Sequence, residues 1–192
     1  MKKKILKIAK KQLLVGGYGK LNFANIADDL NTTRANLHYH FKDKENLALE
    51  VFKEYEIEMI TQYNDLRNQS KNNYVDFFIM IEKLSWNFHA EKHKSGSKAV
   101  IIELVFDADL PKRIEKMCRE LYEKLRKIVG GVLQDGLDCG MIKKKIDVDR
   151  EATRALAIMV GMFTSRHHFH FNKKSKEQLN GLLIDWAISL NK

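Results

Sequence analysis

Proline occurs once, at Pro111, and cysteine twice, at Cys118 and Cys139. A single proline leaves few places where a helix is forced to break. The two cysteines stand far apart and form neither a CxxC pair nor a disulfide framework, which fits a reducing compartment. No apolar run approaches the roughly 18 residues of a membrane span, so no membrane partner is expected. The opening MKKKILKIAKKQLLV is basic like a secretory leader, yet lysines interrupt its apolar residues and no small-residue cleavage site follows. A cytoplasmic protein is therefore expected. The phosphate-cradling and nucleophile loops GxGxxG, GxxxxGK[ST] and GxSxG are missing, and no cofactor is expected. Also missing are strand-like alternation, internal repeats and low-complexity tracts, which leaves an all-α chain as the expected fold class.

The chain of 192 residues is 44% hydrophobic and 31% charged, the balance of a folded globular protein. Its length suits one sizeable core or a small module joined to a larger one. Lys and Arg number 34 against 25 Asp and Glu, a net charge of +9. That excess favours a polyanionic partner, although a solvated basic face would give the same count.

Apolar residues recur at helical spacing through Ile5, Ile8, Ala9, Leu13 and Leu14, and GGYG at 16–19 stops this first helix, expected over about 3–15. Asn22 can cap a second helix whose apolar face is Phe23, Ile26, Ala27 and Leu30. Asn31 tolerates the left-handed conformation of a tight corner, and Thr32 or Thr33 can cap the third helix. Asp43 caps a fourth, continuing through Leu47, Val51, Tyr55 and Met59 to about Leu66. Further helices are expected over about 74–94, a short one ending near Phe106, then about Pro111 to Leu137, 148–170 and 175–190, roughly nine in all. The expected division is a small N-terminal module, 1–47, followed by a larger one, 48–192.

The stretch FANIADDLNTTRANLHYHFKDKENL, residues 23–47, reads as helix, corner, helix. In a helix-turn-helix the first helix braces a second that enters the major groove, so the second must be short, anchored inward and polar outward. Leu37 and Phe41, at i and i+4, can anchor it. Thr33, Arg34, Asn36, His38, Tyr39 and His40 supply donors and aromatic edges. Arg bonds guanine in bidentate fashion and Asn bonds adenine, which makes this a base-reading set, and Lys44 suits a phosphate. Lys2, Lys3 and Lys4 oppose the dipole of the first helix unless anions sit nearby, so they too are expected on phosphates, with His38 beside them.

Residues 9–47 resemble the TetR family of bacterial transcriptional regulators. The resemblance rests on Gly17-Tyr18 after the first helix, Ile26-Ala27 in the second, and Leu37, His40-Phe41, Lys44 and Leu47 at the family's spacing. The corner here is Asn31-Thr32-Thr33 in place of the family's Gly-Val-Ser, Ala35 stands where glycine is common, and His38 replaces a tyrosine that usually touches phosphate. The resemblance implies a helical homodimer that binds a double-stranded DNA operator as a repressor and is released by a small-molecule effector. It also implies that the last two helices form an intersubunit bundle. Leu156, Met159, Leu179, Leu182, Leu183, Trp186 and Leu190 are the seam residues expected from that resemblance and from the apolar stripe near the C-terminus.

The implied effector cavity would lie among the middle helices, where Trp86, Phe88, Glu103, Phe106, Met117, Tyr122, Met159 and Phe163 are the candidate lining residues. Glu82, Glu103 and Asp107 are carboxylates of that region, and one of them buried there would favour a cationic ligand. His89 and His93 have the i, i+4 spacing that can chelate a metal, but Ala90 stands where a zinc protease needs Glu. His167 and His170 share a face of RHHFHF. Solvated helix ends account for both pairs, and no metal is expected. The rival class is a helical small-molecule binder or enzyme with an incidental basic N-terminus, separable by its lack of an operator.

Overall fold

The computed structural model describes residues 1–92, 110–143, 145–168 and 173–191. These contain nine α-helices and no strand: α1 (Lys2–Lys20), α2 (Phe23–Asp29), α3 (Arg34–Phe41), α4 (Lys44–Gln69), α5 (Tyr74–Lys92), α6 (Lys112–Asp138), α7 (Val148–His168), α8 (Lys173–Leu179) and α9 (Leu182–Ser189). The all-α expectation is met, and most boundaries fall within a few residues of those expected. The expected short helix ending near Phe106 lies outside the described residues.

Two boundaries differ for physical reasons. The GGYG segment breaks α1 instead of ending it: Gly17 takes φ 71 and ψ −171, a conformation open to glycine, and helical turns resume to Lys20. The expected continuous helix over 175–190 is two helices, α8 and α9, separated at Asn180-Gly181. Gly181 has φ 89, and its amide donates to a Glu82 carboxylate oxygen at 2.5 Å. Asn-Gly is a turn signal, and it outweighed the apolar stripe that runs across it.

Chain packing forms two compact units, residues 1–58 with 92–121 and residues 59–91 with 122–192. In the first, Ile5, Ala9, Leu13, Ile26, Ala27, Leu37, Phe41 and Leu47 make a core joined by Ile114 and Cys118 of α6. Burial raises the Cys118 thiol to about 11, with Glu115 adding to the effect.

In the second unit, Phe77, Phe78, Val129, Leu133, Ala152, Leu156, Met159, Leu183 and Trp186 share one core. Several polar groups in and around it are paired. Arg67 donates to both Asp135 carboxylate oxygens at 2.8 and 3.0 Å, Tyr74 donates to the Ala187 carbonyl at 2.7 Å, and Trp186 Nε1 donates to Glu151 at 3.0 Å. Among the described residues no helix is long and apolar enough to cross a membrane, and no group of three or more His, Cys, Asp or Glu is placed to hold a metal.

Candidate nucleic-acid interface

The helix-turn-helix is assembled from local hydrogen bonds that its sequence dictates. Asn22 caps α2, its side chain accepting from the Ala24 amide at 2.7 Å. At the corner Asn31 takes φ 49, and the Thr32 amide reaches back to the Ala27 carbonyl at 2.9 Å. Thr33 then caps α3, its hydroxyl accepting from the Asn36 amide at 3.2 Å. Loss of such a cap typically costs about 1 kcal/mol. Leu37 and Phe41 are 0% and 3% exposed, so the two anchors do hold α3 against the core. Fully burying side chains of this size contributes roughly 1.5–3 kcal/mol each.

With those anchors inward, α3 turns Arg34, Ala35, His38 and Tyr39 outward, an arc of about 140° at the pitch of an α-helix. Tyr39 is 84% exposed, its ring set edge-on to that of His40 with 5.4 Å between centroids. Lys42, directly after the helix, is exposed as well and takes φ 64. Ala35 and Lys42 were missed in the sequence. Neither residue type is conspicuous there, and only the position of the buried anchors fixes which residues share the outward arc.

The other candidates are more constrained. Asn36 and His40 are half-buried on the flank of α3, and the Asn36 side-chain amide is already donated to the Thr32 hydroxyl at 2.9 Å. His38 Nδ1 sits 2.7 Å from the Lys42 carbonyl, which requires the proton on Nδ1 and makes Nε2 the acceptor nitrogen of the neutral ring. Its ring packs edge-on against Phe23, 4.8 Å between centroids. Lys44 Nζ lies 4.2 Å from the centroid of Tyr18.

Lys2, Lys3 and Lys4 are all exposed, and Lys2 also makes a surface ion pair with Glu50 at 3.1 Å. A parallel pair joins Lys10 to Glu58.

The candidate effector-cavity residues are only partly described. Glu103, Phe106 and Asp107, with His93 and His170, lie outside the described residues, as do the side chains of Trp86, Phe88, His89, Phe163 and His167. Of the remainder, Met117 packs against the first unit's core, while Tyr122 and Met159 belong to the second's. Glu82 is buried, 3% exposed, with one oxygen on the Gly181 amide.

The expected seam residues Leu156, Met159, Leu183, Trp186 and Leu190 are buried within their own chain, and Leu179 is half-buried. Leu182 and Ile188 are the large apolar side chains of α9 that remain outward, each 43% exposed.

Residues 5–51 match the sequence pattern of the family described as bacterial regulatory proteins, tetR family. The HTH-type transcriptional regulator QacR of Staphylococcus aureus is 33% identical over 82 residues, a match that covers 43% of this chain and 44% of that protein. Among solved structures, a TetR-family transcriptional regulator from Agrobacterium tumefaciens superposes with a TM-score of 0.82 at 17% identity, over 96% of this chain and 95% of that one. A TetR transcriptional regulator from Legionella pneumophila gives 0.75 at 20% identity, over 96% of each chain. At those identities the likeness is one of fold. The proteins matched are described as regulators of transcription, not as enzymes.

Proposed function

We propose how this chain, which belongs through residues 5–51 to the tetR family of bacterial regulatory proteins, carries out DNA-binding regulation: as a cytoplasmic homodimeric repressor whose paired α3 helices read a near-palindromic operator. The observation that carries this reading is the outward arc of α3, polar and aromatic at Arg34, His38 and Tyr39, on a helix anchored by the buried Leu37 and Phe41. Arg34 is free to bond guanine O6 and N7 in the major groove. The Ala35 methyl and the Tyr39 ring suit a thymine methyl beside it. Lys42, Lys44 and the outward Lys3 and Lys4 supply phosphate contacts, which set register and affinity more than sequence, and His38 Nε2 can join them only as the imidazolium, when both ring nitrogens carry protons.

A two-fold dimer must place its two α3 helices about 34–36 Å apart, one turn of B-DNA, to use successive grooves. Half-sites about one turn apart follow from that. In this reading the seam involves the outward Leu182 and Ile188, since Leu183, Trp186 and Leu190 are buried in the chain's own core. A small molecule held in the larger segment would favour a dimer geometry in which the two α3 helices no longer match the groove spacing, a population shift between two states.

Selection from random duplex DNA tests the reading. The expected product is a near-palindrome with guanine in each half-site, and binding that falls steeply with salt. A folded dimer that enriches no two-fold sequence would overturn it.

A further inference from the structure

Three ammonium groups of the first unit lie over aromatic rings. Lys2 Nζ is 5.6 Å from the Phe41 centroid, Lys10 Nζ is 5.7 Å from that of Tyr55, and Lys44 Nζ is 4.2 Å from that of Tyr18. The negative face of an aromatic ring attracts a cation, and the attraction grows as the two approach. Lys2 and Lys10 also carry carboxylate partners, Glu50 and Glu58. Lys44 does not: among the described residues no ion pair includes it.

Its acidic neighbours are turned to other tasks. Asp43 accepts from the Asn46 amide at 2.7 Å and from its side chain at 2.9 Å, capping α4, and Glu45 faces Arg113 at 3.5 Å. Lys44 is also the first residue of α4, where the positive end of the helix dipole disfavours a cation. A carboxylate would hold the ammonium and cancel its charge, whereas a ring holds it and leaves the charge intact. A lysine kept charged at a helix N-terminus beside an outward recognition helix is set for an external anion.

The ring's own placement follows from the break in α1. Gly17 takes a conformation closed to other residues, and the chain that leaves it carries Tyr18 to α4. Burial, then Glu45 and Asp43, raise the Tyr18 phenol above its ordinary value, so the ring stays neutral over the physiological range.

We infer that Tyr18 is a positioning residue, holding Lys44 Nζ with its charge uncancelled for a phosphate of the DNA backbone. The inference rests on the reading of α3 as the DNA-facing helix. It assigns Gly17 and Tyr18 a part in binding that their distance from the recognition helix in sequence would not reveal.

A double-mutant cycle on the full chain tests it, with a short random-sequence duplex as probe and affinity followed across a potassium chloride series. Lys44→Met should flatten the dependence of log affinity on log salt by about one. Tyr18→Leu should weaken binding about two- to five-fold, the size of an exposed cation–π contact, while Tyr18→Phe keeps wild-type affinity. In the Lys44→Met background Tyr18→Leu should add no further loss. Pentafluorophenylalanine at position 18 preserves the ring's shape and removes its negative face, so it should behave as leucine does without disturbing the fold. Equal losses from Tyr18→Leu in both backgrounds, or full affinity with the fluorinated ring, would overturn the role of Tyr18 alone. A folded wild-type protein that binds no duplex would overturn the DNA reading and this inference together.

Discussion

Helices α3 and α9 are both eight residues long, and they end with opposite imbalances. The first buries Leu37 and Phe41 and leaves a polar, aromatic arc in water; the second buries Leu183, Trp186 and Ala187 and still leaves Leu182 and Ile188 outward. A polar arc costs nothing in solvent and gains only when hydrogen-bonding partners replace water. Exposed apolar surface is unfavourable until something covers it. In the proposed reading the two helices meet different kinds of partner, nucleic acid for α3 and an apolar surface for α9.

The largest effect should come from the buried side of α9. Trp186 packs edge-on against Phe78 with 5.1 Å between centroids, and its indole N–H is held by Glu151 at 3.0 Å. Trp186→Ala should cost about 3–5 kcal/mol of folding stability, read by chemical denaturation. Because the residue serves its own chain's core, that loss should not depend on protein concentration. A loss that vanishes on dilution would place Trp186 in a subunit seam and erase the contrast with Leu182 and Ile188.

A middle-sized effect should separate residues within α3. Arg34→Ala should cost roughly 1–3 kcal/mol for the selected operator, with folding unchanged. Asn36→Ala should cost under about 1 kcal/mol, since its amide already bonds the Thr32 hydroxyl at 2.9 Å and only a local hydrogen bond is lost. Binding titrations that rank the two in the reverse order would move the reading edge of α3 to its flank.

The smallest change in stability belongs to the outward side of α9. Ile188→Ser should alter folding free energy by no more than about 0.5 kcal/mol. Sedimentation should nevertheless show weaker self-association. An unchanged association constant, together with an unchanged one for Leu182→Ser, would remove α9 from the proposed seam.

Much of the first unit was legible because its signals are local. The caps at Asn22, Thr33 and Asp43, the left-handed corner at Asn31 and the anchors Leu37 and Phe41 each act within a few residues, and each is where the sequence puts it. Less legible was the use made of side chains whose partners come from afar. Lys2 reads as a free cation in MKKKILK, yet Glu50 of α4 lies 3.1 Å from its ammonium. The stripe from Leu179 to Leu190 reads as a continuous face, yet Gly181 interrupts it and the chain's own α5 and α7 take up most of it.

By itself, the sequence determined that this chain is all-α, that a helix-turn-helix lies near its N-terminus, and which two residues anchor α3. Helical periodicity and capping depend on neighbours three or four residues away. Tertiary structure alone decided which charges remain available and which apolar faces remain uncovered. Lys44 makes no ion pair among the described residues: Asp43 caps α4, Glu45 faces Arg113, and a tyrosine brought from α1 lies 4.2 Å from its ammonium. Trp186 is withdrawn from the surface because Phe78 and Glu151 meet it from helices distant in sequence. An ion pair or a buried ring is a property of two segments at once, and a one-dimensional pattern specifies only the nearer of them.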